Sequence, residues 1–583
     1  MPRRSAATNP LQFDLFSAPD PAAPVGSAAR TSGGLPPPNE QQRAVLEWVE
    51  HGSGNGIIRS VAGSGKTTLL QMVAQLQRLQ RKGSRALMTS FSRAITKELT
   101  TRVRGTVFRA KGMHALGLAT WKQNFPAAKL DETKYKALAA KWLELIRAED
   151  YLDLDQHGEL VESERRGLPA AIAKWLEMAR HQAAGAAITT ETLEEVLAEF
   201  DIRIARELEP WVTTVALRAL REGRERTDAL DFTDMLDLPL RAAQAPGGAA
   251  AFPFPTYDWL LIDECQDFTP LMIEFVLQLR ADHGRVLAVG DPQQSIFGFA
   301  GADTKAWERF RDELRATEFG LSVCFRCPAS HIQRAAAYVP DIRPRSGAPD
   351  GRLGRANWLD LVGRVKPGDM ILSRTNRPLI QTAFRLLRAG KPARVKLGSH
   401  NSVSFDRKLL RAAQRLEDLL AETPDLARAV KLSCDRELAQ LKKLERLPEH
   451  VRLKKEEEAT EIAACLLAFV ESSGATSTAS LVAHIEEMFG DGKAVITLST
   501  VHRAKGLEAD VVWLLEPDRL RQAHEGAFSE DDQQELNVAY VAYTRARLEM
   551  WELDVDSDAD APMLDAHGRS AAEDDAGVPA QPG

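Results

Sequence analysis

The stretch Ser60-Val61-Ala62-Gly63-Ser64-Gly65-Lys66-Thr67-Thr68 constrains the fold more than any other part of the chain. The apolar run Gly56-Ile57-Ile58-Arg59 precedes it, and Leu69, Val73 and Leu76 follow at helical spacing. Strand, glycine turn and helix in that order are the setting a phosphate-binding loop requires. Gly63 and Gly65 let the backbone turn its N–H groups towards phosphates, and the helix N-terminus adds positive potential. Lys66 is placed to reach the β- and γ-phosphates, and the Thr67 hydroxyl to ligate Mg²⁺. Ala62, Gly63, Ser64, Gly65, Lys66, Thr67 and Thr68 are therefore the candidate nucleotide cradle. Ser60 stands where the strict pattern has Gly, so a plain turn between strand and helix is the competing reading.

The 583 residues leave room for three or four domain-sized units. A net charge of −7 gives no global nucleic-acid signature, yet a local basic groove with stacking aromatics suffices for single strands. Five cysteines suit a reduced, cytoplasmic setting. Cys324-Phe325-Arg326-Cys327 has metal-like spacing but no second pair, which favours structural thiols. No apolar stretch is long enough to span a bilayer and no signal peptide is evident. Residues 1–38 are rich in Pro, Ala, Gly and Ser, and residues 554–583 are acidic; both are expected to be disordered.

From Asn39 the composition turns globular. Gln41 opens a helix ahead of the glycine loop, and its amide could both donate to and accept from an adenine edge. After the strand Arg85-Ala86-Leu87-Met88-Thr89 come Phe91, Ser92 and Arg93, which suit contact with a nucleic-acid backbone and base. His114 is a further phosphate-contact candidate, although a lone loop His is often uninformative. Residues 118–226 are rich in Ala, Leu, Glu and Arg at helical spacing and read as an insertion. The buried-strand signal Tyr257-Asp258-Trp259-Leu260-Leu261-Ile262 ends in Asp263-Glu264. Asp263 could hold the Mg²⁺ shell while Glu264 orients and deprotonates water; alternatively the pair only caps a helix. A strand at Arg285-Val286-Leu287-Ala288-Val289 leads to Gln294, placed to sense a γ-phosphate, with Phe297 and Phe299 close behind as base-stacking or core rings.

These motifs, in this order, resemble superfamily 1A DNA helicases of the UvrD/Rep/PcrA type. Ser322-Val323-Cys324-Phe325-Arg326 is similar to the family's Asn-Tyr-Arg motif, which implies Phe325 on the adenine and Arg326 as a first arginine finger. Asp369-Met370-Ile371-Leu372-Ser373-Arg374-Thr375-Asn376 resembles the opening of the second motor's DNA contacts. Thr500-Val501-His502-Arg503-Ala504-Lys505-Gly506-Leu507-Glu508 resembles a motif whose Thr and His, here Thr500 and His502, touch DNA and whose Glu, here Glu508, meets the ribose. The segment from Glu535 to Ala546 resembles the last motif, with Arg545 as second finger.

The resemblance implies an α/β fold: two RecA-like P-loop motor domains with parallel sheets, each carrying a largely helical insertion. The expected units are residues 39–320, with the insertion at about 118–226, and residues 321–553, with a short insertion at about 402–490. It implies ATP and Mg²⁺ as cofactors and single-stranded DNA and single-/double-strand junctions as partners. The activity implied is 3′→5′ translocation with strand separation. A translocase that displaces proteins with little unwinding, and a scaffold whose ATPase only switches binding, are the alternatives. Ala300 replaces the family's Arg after the second aromatic of its motif, which touches the coupling of DNA binding to hydrolysis. In the N-terminal tail, Gln12-Phe13-Asp14-Leu15-Phe16 resembles the peptide by which bacterial DNA enzymes dock on the sliding clamp, with Gln12, Leu15 and Phe16 as its anchors.

Overall fold

The computed structural model describes residues 35–553, apart from residues 82, 92, 201, 203, 297, 299–304, 397–404, 421, 444–448, 490–494 and 521–529. Gln12, Leu15, Phe16, Ser92, Phe297, Phe299, Ala300, the acidic tail and the side chain of Arg93 thus lie outside what is described.

The apolar runs around Ile57, Leu87, Leu260 and Leu287 become neighbours in one six-stranded sheet. Its order is Phe108–Ala110, Ala86–Ser90, Tyr257–Asp263, Arg280–Gly290, Gly56–Ser60 and Thr317–Leu321. Every pairing is parallel. Helices cover both faces of such a sheet, so its strands read as nearly continuous apolar runs rather than alternating ones. The two faces still separate by the period of two. Ile57, Leu87, Leu260, Ile262 and Val286 join one core with Phe268 and Phe275. Ile58, Met88, Trp259, Leu261 and Leu287 join another with Val45, Leu69 and Val73. The chain leaves Gly56–Ser60 and skips two strands before entering Ala86–Ser90. That switch opens a crevice at the carboxyl ends of the strands, where ligands bind in open α/β sheets.

Between the helices Met113–Lys122 and Asp234–Gln244 the chain forms five longer helices: Lys134–Leu145, Leu154–Glu164, Leu168–Ala183, Thr190–Glu199 and Glu209–Glu225. They bury Trp175, Leu176, Trp211 and Val212 in a core of their own. A two-residue parallel ladder pairs Lys129–Leu130 with Ala229–Leu230 where this region is entered and left. Just inside it lies a buried ionic cluster. Lys134 Nζ stands 2.6 Å from Asp234 Oδ2, and Arg180 reaches Asp231 at 2.6 Å and Asp234 at 2.7 Å.

A second six-stranded sheet follows, in the order Arg352–Ala356, Ala546–Leu553, Ala509–Leu515, Met370–Ser373, Ile496–Thr500 and Ala393–Lys396, again parallel throughout. Between Ala393–Lys396 and Ile496–Thr500 stand the helices Phe405–Leu420, Leu426–Lys443, Glu449–Ser473 and Thr478–Phe489. Their Leu409, Phe469, Leu481 and Ile485 share one core with Ile371, Leu379 and Leu498 of the sheet layer. The molecule is thus α/β with two large parallel sheets. Among the described residues no single helix is long and apolar enough to cross a membrane.

Candidate nucleotide site and nucleic-acid face

The glycine loop follows the strand Gly56–Ser60 and delivers the chain into the helix Lys66–Gln75. Gly63 and Gly65 have φ of 66° and 82°, the left-handed region that favours glycine. Gly63 has a second reason to lack a side chain. A Cβ there would stand 2.7 Å from Arg326 Cβ and 2.8 Å from Cys324 Sγ, which pack directly on the loop. The Ser64 hydroxyl is buried with no hydrogen-bond partner among the described residues. An orphaned donor in a loop of this shape suits a phosphate oxygen.

Thr67 Oγ1 donates to Asp263 Oδ2 at 2.8 Å, and Lys66 Nζ lies 3.2 Å from Glu264 Oε2. Both carboxylates stand at the end of the strand Tyr257–Asp263, with Glu264 in the left-handed region at φ 54°. A non-glycine residue held there stores strain of the kind that collects at functional positions. Burial, then the Glu264 charge, pushes Asp263 up to about 7. Burial also pushes on Glu264, but the charges of Lys66 and Lys505 outweigh it and hold that carboxyl down to about 2. Burial favours neutral Lys66, yet Glu264, Asp291 and Asp263 overcome it and keep the ammonium above its ordinary value. A hydroxyl and a hard carboxylate oxygen side by side, the latter short of positive charge, fit Mg²⁺.

The opposite wall comes from Arg326, which follows the short strand Val323–Cys324, and from residues at the starts of the second sheet's strands. Arg326 Nε lies 2.5 Å from Glu508 Oε2, and Arg326 Nη1 donates to the Thr544 carbonyl at 3.3 Å. Arg545 is buried and donates to the carbonyls of Val541 at 2.9 Å and Leu507 at 3.2 Å. Burial and the Arg326 charge pull it down to about 10. Phe325 is 43% exposed, although its N–H is pinned to the Gly63 carbonyl at 2.8 Å. The ring is therefore a free platform on a fixed stem. Gln41 uses its amide on Ser322, donating to Oγ and accepting the backbone N–H, each at 2.9 Å. Gln294 donates to Asp291 Oδ2 at 2.6 Å.

Several groups at this site were not singled out by the sequence. Lys505 Nζ donates to both Asp267 oxygens at 2.7 Å and to the Gln294 carbonyl at 2.6 Å, bridging the two sheets. The Tyr540 hydroxyl meets the Ala62 N–H at 2.7 Å and Asp291 Oδ2 at 3.2 Å. Asn537, one turn earlier on the same helix, donates to the Ser295 carbonyl at 2.9 Å. All three lie inside motifs already recognised. Their partners are more than 200 residues away, so local sequence carried little hint of them.

The nucleic-acid candidates cluster at carboxyl ends of strands. Phe91 follows Ala86–Ser90 and leans on the first sheet's core. His114 sits in the first turn of Met113–Lys122, with its ring edge-on to Phe232 at 6.1 Å. Thr500 closes Ile496–Thr500, and its buried hydroxyl has no partner among the described residues; His502 lies two residues on. Asn376 caps the helix Arg377–Arg388 but is 1% exposed, its N–H donating to Glu461.

A crevice at the switch of a parallel sheet thus gathers a glycine loop, paired acids, Arg326 and, from beside the second sheet, Arg545. Residues 39–315 match the UvrD/REP helicase N-terminal domain. The chain is 29% identical over 317 residues to the F-box DNA helicase protein 1 of Schizosaccharomyces pombe, covering 50% of this chain and 33% of that protein. It is 28% identical over 374 residues to the ATP-dependent DNA helicase UvrD2 of Mycobacterium bovis, covering 57% of this chain and 52% of that protein. It is 22% identical over 324 residues to DNA helicase II of Haemophilus influenzae, covering 53% and 41%. The aligned region thus spans between a third and about half of these relatives. These matches support a likeness to UvrD/Rep-like helicases of superfamily 1.

Proposed function

We propose that the chain is an ATP-dependent DNA helicase and translocase that moves 3′→5′ on single-stranded DNA, in repair or replication, within the cytoplasm at the nucleoid. The observation that carries this reading is the paired contact Lys66–Glu264 and Thr67–Asp263 facing Arg326 across the glycine loop. ATP supplies a transferable γ-phosphoryl group, and Thr67 and Asp263 would hold Mg²⁺, which would neutralise phosphate charge. Glu264, kept ionised by Lys66 and Lys505, takes a proton from water. Lys66, Arg326 and Arg545 place fixed positive charge where negative charge redistributes. Gln294 senses the γ-phosphate, Phe325 stacks on the base, Gln41 reads its edge and Glu508 holds the ribose. Gln41 and Glu508 exchange their present partners, Ser322 and Arg326, to do so. Phe91, Ser92, Arg93, His114, Phe297, Phe299, Asn376, Thr500 and His502 form the DNA track. The units at 39–320 and 321–553 are the two motors.

The test is steady-state ATP hydrolysis with and without single-stranded DNA. Turnover is expected to rise with DNA and to vanish in Lys66→Ala; normal turnover in that variant would remove the site assignment.

A second reading, translocation with little unwinding alone, draws support from the four helices of the second insertion. They share the core of the second sheet instead of building one of their own. Docking on a sliding clamp through Gln12, Leu15 and Phe16 would supply a partner. Clamp capture is expected to be lost when Leu15→Ala and Phe16→Ala are combined, and unchanged capture would discard it.

A further inference from the structure

The hydrogen bonds of Tyr540 lead further than the nucleotide cradle. Tyr540 is fully buried on the helix Glu530–Tyr543, which belongs to the second sheet's layer. Both of its hydroxyl partners belong to the first sheet: it accepts the Ala62 N–H at 2.7 Å and donates to Asp291 Oδ2 at 3.2 Å. The same Asp291 oxygen accepts Gln294 Nε2 at 2.6 Å. The Asp291 N–H donates to Gln266 Oε1 at 2.9 Å, and Gln266 Nε2 donates to Glu264 Oε2 at 2.9 Å. Hydrogen bonds, joined through the Asp291 residue itself, therefore link one hydroxyl of the second motor to the sensor amide and to the carboxylate assigned to water activation.

We infer that Tyr540 is a positioning residue, its hydroxyl fixing Asp291 and, through Gln266, the orientation of Glu264 only while the second motor is seated on the glycine loop. The inference rests on the proposed hydrolytic function and adds the device that ties turnover to motor closure. The Ala62 N–H and Asp291 are buried, so when the helix withdraws both lose the Tyr540 hydroxyl as a partner. Asp291 then keeps only Gln293 and Gln294 on its carboxylate, so its side chain is less firmly held, and Gln294 and, through the Asp291 backbone, Gln266 are less firmly held with it. Glu264 keeps Lys66 but loses the second donor that sets the direction of its lone pairs. Tyr540 touches no reacting atom; it acts through others. A Phe at this position keeps the ring and its packing and removes only the oxygen.

The experiment compares the full-length chain with Tyr540→Phe, Gln266→Ala and the double variant. The expected result is a fall in kcat of roughly tenfold for Tyr540→Phe, with KM for ATP held within about twofold. Because both residues act along one path, the double variant is expected to be no slower than the slower single variant. Effects that multiply, or an unchanged kcat in Tyr540→Phe, would overturn the inference. Hydrogen exchange of the peptides containing Ala62 and Asp291 reads the contact without turnover: both amides are expected to exchange faster in Tyr540→Phe. Unaltered exchange would also overturn it. Faster exchange in a chain whose parent hydrolyses no ATP would retain the contact and count against the hydrolytic reading instead.

Discussion

His181 lies on the helix Leu168–Ala183, fully buried, with Nδ1 2.9 Å from Thr269 Oγ1. Burial, reinforced by the Arg180 charge, pulls it down from 6.5 to about 3. The folded ring is therefore neutral where the unfolded ring takes up a proton. Stability contributed by the neutral ring is complete above pH 6.5 and is lost as pH falls from there towards about 3. Asp234, pushed up to about 6 by burial and Asp231, works in the opposite direction. The difference between the parent and His181→Asn isolates the ring. In denaturant titrations the parent's advantage is expected to shrink by about 1.4 kcal/mol per pH unit below 6.5; a constant difference would show that the ring is not held neutral. The consequence reaches the site, because Thr269 caps the helix Pro270–Gln278 just after Asp263-Glu264. Lys66, Thr67, Asp263 and Glu264 were legible from sequence because each sits at a fixed offset from a strand end. Lys505 and Tyr540 were not, since their meaning lies in Asp267, Ala62 and Asp291 on the other sheet.

At the scale of elements, apolar periodicity exposed the long pieces. The run at Tyr257–Asp263 and the helices around Trp175 and Trp211 follow directly from it. Short edge pieces escaped: Phe108–Ala110, Arg352–Ala356 and the ladder of Lys129–Leu130 with Ala229–Leu230 are defined by partners and carry little local pattern. The strand expected at Arg285–Val289 extends from Arg280 to Gly290, the added residues Arg280, Asp282 and His283 being polar and exposed. The buried ions were equally invisible. Asp231 and Asp234 compensate Lys134 and Arg180 inside a packed junction. Lone charges at such depth are strongly destabilising, so this cluster locks the inserted helices to the first sheet's layer. Nor does periodicity say which neighbour a helix covers: Phe405–Leu420 and Glu449–Ser473 turned their apolar faces to the second sheet's own core.

Across the whole molecule, two parallel sheets meet at the glycine loop, held by Lys505 to Asp267, Tyr540 to Ala62 and Asn537 to Ser295. The order of motifs along the chain implied the two lobes; the contacts that couple them came only with the fold. A net charge of −7 says little about a track built from strand ends. Under the proposed function this junction converts ATP turnover into directed strand separation. That conversion is tested most directly by offering the chain duplexes with either a 3′ or a 5′ single-stranded tail, with ATP and Mg²⁺. Unwinding of the 3′-tailed duplex alone is expected, and none by Lys66→Ala. Unwinding of the 5′-tailed duplex alone, or equal unwinding by Lys66→Ala, would contradict it.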